Sequence, residues 1–246
     1  MEKQTRRIEE LSMNAWPSMQ THLYDGWVLR FSEGYTKRAN SINPLYPSTI
    51  ALEEKIAVCE SLYEDKNLPA TFKLIGTEQQ AALESELIGM GYGKLDETAV
   101  MTASLHSFRG EVSSSLIHET VFTDAWEDGF IACNAINPVY ETVLRKMLGS
   151  IPGKKIIVSK SVDGAIIACG FGVIEREYVG IFDIVVDKAY RGKGIGKEVV
   201  QSILGRAKEE GAETAYLQVL KGNLVAENLY GVLGFEESYR YWYRKK

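Results

Sequence analysis

An almost continuous apolar stretch, Val179 to Asp187, leads through a short spacer into Arg191-Gly192-Lys193-Gly194-Ile195-Gly196 and then into a helical pattern. This order constrains the fold more than any other feature of the chain. The apolar stretch is broken only by Asp183, which predicts a central strand buried on both faces. After it, Ile195, Val199, Ile203 and Ala207 recur on one helical face, with Val200 and Leu204 beside them. The turn between strand and helix is rich in glycine. Glycine lets a backbone approach an anion closely, and a helix N-terminus offers unpaired N–H groups at the positive end of its dipole. Arg191, Lys193 and Lys197 add positive charge. These residues predict a pyrophosphate site; the alternative reading is a tight turn with a solvated basic edge.

Two common phosphate motifs do not fit. The pattern GxxxxGK[ST] fails because Glu198 follows Gly196-Lys197 and Arg191 stands where the first glycine belongs. The dinucleotide fingerprint GxGxxG fails because Lys197 occupies its last position. Further on, Ala215 to Leu220 is strand-like. Asn223 can cap a helix that runs to Leu233, with Gly234-Phe235 closing it and Tyr239 to Arg244 as a last strand.

Arg191, Gly194 and Gly196 match [RQ]xxGx[GA], the acyl-CoA turn of the GNAT superfamily of N-acetyltransferases. Asn223, Ala226, Leu229-Tyr230 and Gly234-Phe235 match the family's next motif, NxxAxxLYxxxGF. The two motifs stand in the right order with a strand between them, so residues 116–246 resemble this superfamily. The resemblance implies a GNAT (acyl-CoA N-acyltransferase) fold of the α/β class: a mixed, mostly antiparallel sheet flanked by helices, in two GNAT-like halves. It implies an acyltransferase that moves an acetyl group from acetyl-CoA, as co-substrate, to a primary amine, by direct attack in a ternary complex and without a metal. Ile184, Val185 and Val186 would lend backbone groups to the pantetheine arm. The turn formed by Arg191, Gly192, Lys193, Gly194, Ile195, Gly196 and Lys197 would hold the pyrophosphate, with Asn223 nearby. Tyr230 would protonate the leaving thiolate.

Asp183 is open to two readings: a general base or acceptor-orienting group, and a carboxylate paired within the strand. Glu175 and Glu177 are second candidates for the base. The expected acceptor is a small-molecule amine, with a protein N-terminus or lysine as the alternative. A non-catalytic acyl-CoA sensor and a nucleotide-binding domain of another kind are the competing classes.

The first half repeats the same order in reduced form. Asp25-Gly26 precedes a strand at Trp27 to Phe31, as Asp163-Gly164 precedes Ala165 to Cys169. Tyr35 to Ile42 is expected as a strand, Thr49 to Lys66 as a helix, Thr71 to Ile75 as a strand and Glu78 to Met90 as a helix. Gly91-Tyr92 then matches Gly234-Phe235, 143 residues later. At this offset the Arg191–Gly196 turn falls on Ser48–Glu53, which contains no glycine, and Tyr230 falls on Leu87. The reading is a degenerate N-terminal domain at 1–112 and a catalytic, acetyl-CoA-binding domain at 116–246. Residues 25–44, dense in Trp, Tyr, Arg and Asn, read either as part of an acceptor pocket or as a hairpin with an aromatic core.

Composition narrows the partners. The 28 Lys and Arg against 33 Asp and Glu give a net charge of −5, which is not the footprint of a nucleic-acid binder. No apolar run reaches the length of a membrane span, and the charged N-terminus is not a secretory signal. With three cysteines and three scattered histidines, a zinc site has no support and the thiols read as reduced core residues. The expectation is a cytoplasmic protein, a monomer or homodimer, that binds neither nucleic acid nor membrane.

Overall fold

The computed structural model describes residues 1–246. Its contacts divide the chain into two compact units, Met1–Val100 with Ser238–Lys246, and Met101–Glu237. The first unit contains α1 (Lys3–Ala15), β1 (Gln20–Tyr24), β2 (Trp27–Phe31), β3 (Ile42–Pro44), α2 (Leu52–Glu64), β4 (Thr71–Leu74), α3 (Ala81–Gly89) and most of β5 (Gly93–Ser104). The second contains β6 (Ile117–Glu119), α4 (Asp124–Asn134), α5 (Glu141–Gly149), β7 (Lys154–Val162), β8 (Ala165–Glu175), β9 (Tyr178–Val186), α6 (Ile195–Glu209), β10 (Thr214–Leu220) and α7 (Leu224–Val232). Most of the last strand, β11 (Glu236–Lys245), belongs to the first unit.

Each unit is a mixed, mostly antiparallel sheet with helices. In the first, β2 pairs antiparallel with β1 and β3, and β3 runs parallel to β4. In the second, β6, β7, β8 and β9 pair antiparallel in sequence order, and β9 runs parallel to β10. A parallel pair needs a crossover, and α2 and α6 supply it. The repeat expected from Gly91-Tyr92 and Gly234-Phe235 is visible in the elements. The starts of α2 and α6, of β4 and β10, of α3 and α7, and of β5 and β11 all lie 143 residues apart. Both short helices also end alike. Tyr92 N–H donates to Leu87 O (2.9 Å) and Phe235 N–H to Tyr230 O (3.0 Å), each across a left-handed glycine.

Burial explains the elements. In the second unit the ring of Trp126 stacks on Phe130 at 5.3 Å and meets Phe171 edge-on, while α6 buries Val199, Val200, Ile203 and Leu204. Each such side chain contributes roughly 1.5–3 kcal/mol on burial. In the first unit Trp27, Leu29, Ile42, Ile56, Phe72 and Leu87 form the core. Arg30 is buried beside them and donates to the carbonyls of Met13, Trp16 and Arg38. Those carbonyls offset the cost of burying a cation. Desolvation lowers its pKa to about 10, so the guanidinium stays charged at neutral pH.

The structure departs from the sequence reading in three places. The expected strand Tyr35–Ile42 is a single turn of 3-10 helix, Lys37–Ala39, before the short β3. Asn40 causes this: its Oδ1 accepts from Ser32 N and Gly34 N, and its Nδ2 donates to Tyr35 O and Thr36 O. Within the 25–44 stretch the side chains of Arg30, Asn40 and Asn43 are all bonded to backbone. Second, α1, β1 and β5 carried no strong pattern and were not expected. Third, the final strand expected within 116–246 pairs with β4, with Trp242 opposite Leu74 and Arg244 opposite Phe72. Tyr241 and Tyr243 are buried there, and Lys73 Nζ lies 3.9 Å from the Tyr241 ring centroid. By its contacts this strand groups with Met1–Val100. Residues 105–113 are tied to α6, through Lys208 Nζ to the carbonyls of His106 and Phe108 and through Ser113 N to Ser202 Oγ.

All three cysteines are free, and Cys59 and Cys169 are buried. Desolvation pushes both thiols up, that of Cys59 to about 12, which makes them unreactive. No helix is long and apolar enough to cross a membrane.

Candidate active site

The site begins where two parallel strands stop pairing. The β9–β10 ladder runs from Tyr178 opposite Thr214 to Ile181 opposite Leu217 and ends there. Both strands continue, β9 to Val186 and β10 to Leu220. The cause is local. Between the pairs Phe171–Phe182 and Cys169–Val185, β9 spends Asp183 and Ile184 against the single residue Gly170. This is a β-bulge, with Asp183 in the left-handed region at φ 50°. Aspartate tolerates that conformation better than most side chains. Gly170 lies opposite it, and a Cβ there would stand 2.3 Å from Ile184 Cδ1 and 3.3 Å from Ile184 Cα, so that Ile184 would have to shift. Ile184, Val185 and Val186 thus form an edge that β10 does not pair with.

The turn follows. Asp187 Oδ1 accepts from Ala189 N (2.8 Å) and Arg191 Nε donates back to Val186 O (3.0 Å). Arg191, Gly192, Lys193 and Gly194 are exposed. Gly192 and Gly194 have φ of 76° and 78°, which a side chain would oppose. Gly194 is the N-cap of α6 and supplies no side-chain acceptor, so the first N–H groups of the helix remain available. Gly196 is different. Its φ is ordinary, and a Cβ there would meet only ordinary contacts, Val186 at 3.6 Å and Leu229 at 3.9 Å. Neither strain nor crowding demands glycine there, and its effect is to leave the first turn of α6 bare. Lys193 lies over the Tyr190 ring, and Lys197 is exposed.

Asn223 caps α7, its Oδ1 accepting from Ala226 N (3.2 Å). No residue of α7 is fully buried, so the helix rests on the unit by one partly covered face. Tyr230 is on that face, its ring edge-on to Phe235 at 5.9 Å. Desolvation, and then the charge of Asp183, push its hydroxyl up to about 12. The structure thus brings Tyr230 and Asp183 into one electrostatic neighbourhood. It leaves Glu175 and Glu177 apart, at the opposite end of β9 and six or more residues from Asp183, roughly 20 Å along an extended strand.

Sequence reasoning missed two features. One is a groove of about 750 Å³ lined by Ser107, Phe108 and Arg109, by Lys197 and Gln201 of α6, and by Leu233. Its parts are scattered along the chain, and only the two cations hint at it. The other is Glu198, which accepts from Ser113 Oγ, Ser115 Oγ and Lys160 Nζ. These partners pull its carboxyl down to about 2 and anchor the first turn of α6.

The counterpart of the turn in the first unit is filled by the protein itself. The Asp25 carboxylate accepts from Thr49 N, Thr49 Oγ1 and Ile50 N, all at 2.9 Å, just before α2. Lys55 Nζ lies 3.1 Å from it. These donors hold Asp25 well below the usual carboxylate range, with the Ile50 N–H the largest cause.

Comparison with known proteins agrees with this geometry. Residues 3–244 match the family model described as "Probable histone acetyltransferase Rv0428c C-terminal". The chain is 31% identical over 250 residues to the uncharacterized N-acetyltransferase YobR of Bacillus subtilis, covering 98% of each. It is 33% identical over 58 residues to the ribosomal protein bS18-alanine N-acetyltransferase of Escherichia coli, covering 24% of this chain and 39% of that one. Among solved structures, a GCN5-related N-acetyltransferase from Kribbella flavida superimposes with a TM-score of 0.72 at 14% identity, over 98% of this chain and 95% of that one. A tandem GNAT protein from the clavulanic acid biosynthesis pathway does so with a TM-score of 0.63 at 13% identity, over 97% and 87%.

Proposed function

Because the chain belongs to the GNAT superfamily of N-acetyltransferases, within the family of the Rv0428c C-terminal model, we propose that its second unit moves an acetyl group from acetyl-CoA to the primary amine of a small molecule. One observation carries this reading. The parting of β9 from β10 lies at the same end of the unit as an exposed, uncapped, glycine-rich helix start. A strand edge with spare backbone groups suits the amide-bearing pantetheine arm, which adds to it as a further strand. The cations and free N–H groups of residues 191–197 suit a pyrophosphate.

The reaction follows from these parts. The amine attacks the thioester carbon while both substrates are bound. An N–H of Val185 or Val186 on the open edge stabilises the developing oxyanion. The new C–N bond forms, the C–S bond breaks, and Tyr230 gives its proton to the departing sulfur. The attacking nitrogen's proton passes to Asp183 directly or through water. A phenol at about 12 is a weaker acid than an ordinary tyrosine, and the Asp183 charge is one of the two reasons. Protonating Asp183 removes that reason, so each transfer favours the other. Asn223 fixes the start of α7 and with it the position of Tyr230.

A protein amine is the second reading, favoured by the 58-residue likeness to a ribosomal-protein N-acetyltransferase. Calorimetric titration with acetyl-CoA, followed by acetylation of a panel of small amines and peptides, tests both. One acetyl-CoA site per chain and turnover of small amines supports the proposal. Turnover of peptides alone favours the second reading. Tight binding with no turnover of any amine, and no effect of Tyr230→Phe, leaves a sensor.

A further inference from the structure

The first unit holds a cavity of about 410 Å³ that the reaction does not use. Trp27, Pro44 and Leu83 give it an apolar body, and Arg6, Tyr46 and Thr77 stand among its polar lining. Such a volume and lining are those of small-molecule sites. Its polar groups are unfinished. The Arg6 Nε and Thr77 Oγ1 atoms are both buried without a hydrogen-bond partner. The Arg6 guanidinium lies over the Tyr46 ring, with its carbon 5.7 Å from the centroid. The Tyr46 hydroxyl is already committed to Glu10 Oε1 (2.8 Å). Gln80 is committed as well, accepting from Ile75 N and donating to Pro44 O, which fixes the wall. A half-buried guanidinium in the lining with no carboxylate paired to it favours an anionic ligand.

We propose that this cavity is a separate binding site for a compact carboxylate with an apolar or aromatic body. Arginine selects the charge, since its planar fork matches a carboxylate with two parallel N–H···O bonds. The apolar walls select the body. A pyrophosphate does not suit the cavity, because the N–H groups that would cradle it, at Thr49 and Ile50, are occupied by the Asp25 carboxylate. The first unit has thus kept a cleft beside its degenerate turn, with a different chemistry from the second.

Isothermal titration of the full chain with benzoate tests this, with benzamide as the neutral isostere and inorganic phosphate as the alternative anion. One benzoate per chain is expected, with benzamide at least tenfold weaker and phosphate without effect. Arg6→Gln weakens benzoate at least tenfold, Arg6→Lys restores part of the affinity, and saturating acetyl-CoA leaves it unchanged. Absence of saturable benzoate binding by the unmutated protein overturns the proposal. So does equal binding of benzamide, displacement by phosphate or acetyl-CoA, or an Arg6→Gln protein that unfolds as the parent does and binds benzoate equally well.

Discussion

Replacing Gly194 by glutamate separates what the turn does for the fold from what it does for the donor. Gly194 sits at φ 78°, where a side chain costs about 1–2 kcal/mol. A Cβ there meets nothing within 4 Å, so no clash adds to that cost. A carboxylate at the N-terminus of α6 returns about 0.3–1 kcal/mol through the helix dipole. The net loss is about 1 kcal/mol, or about 2–4 °C in Tm for a chain of this size. The effect on binding is larger. A carboxylate about 4 Å from a phosphate charge opposes it by about 1 kcal/mol in bulk water and about 4 kcal/mol at an effective dielectric of 20. An exposed turn lies toward the lower value, but a pyrophosphate carries more than one charge, so acetyl-CoA affinity should fall at least tenfold. Gly194→Ala is the control. It pays the same backbone strain without the repulsion and should keep affinity within about threefold, a cost under 1 kcal/mol. Calorimetry for Kd and thermal unfolding for Tm measure the two terms. A Gly194→Glu protein that folds and binds acetyl-CoA as tightly as the parent would refute the pyrophosphate role of the turn.

Three further outcomes are expected. Tyr230→Phe should lower kcat by about 10²–10⁴ with little change in KM for acetyl-CoA, read by steady-state kinetics on a turned-over amine; an unchanged kcat removes the acid role. Glu198→Gln should destabilise the fold by about 1–2 kcal/mol at pH 7, once the pull of Lys160, Ser113 and Ser115 is discounted for partial exposure. Because the folded carboxyl is depressed to about 2, that stability is complete above the ordinary glutamate value and is lost as pH falls toward 2. Denaturant unfolding of parent and variant should therefore converge in acid, and a gap that persists there refutes the assignment. Gly170→Ala should cost about 1–3 kcal/mol by crowding the bulge at Ile184. It should also weaken acetyl-CoA, whereas unaltered binding would show that the bulge does not shape the cleft.

The legible part of the site was local chemistry. The Arg191–Gly196 turn, the apolar face of α6 and the Asn223 cap with its Gly234-Phe235 closure all depend on residues within a few positions of one another. They could be read residue by residue, and α6 and α7 begin where those signals put them. The 143-residue repeat was legible for the same reason, since the two helix ends share one hydrogen-bond pattern. What failed was local in form but not in cause. Tyr35–Ile42 has the composition of a strand, yet the Asn40 side chain spends its bonds on Ser32, Gly34, Tyr35 and Thr36 and bends the chain. The first-unit helix α1 buries Ile8, Leu11 and Ala15 and is fastened by groups distant in sequence, Arg30 at Met13 O, Lys73 and Tyr239 at Glu9, and Tyr46 at Glu10.

The sequence by itself determined the fold family and the glycine-rich strand–turn–helix order around α6 and α7, because helix periodicity, caps and glycine conformations are written within a few residues. Tertiary structure alone decided three things. It placed β11 against β4, a pairing between residues some 170 positions apart. It parted β9 from β10 beside a bulge that sets Gly170 on one strand against Asp183 and Ile184 on its neighbour. It gave the turns before α6 and α2 opposite fates, one left exposed, the other filled by Asp25 from a distant turn. Each depends on which groups meet across the fold, where hydrogen bonds and excluded volume act between residues that no local pattern connects.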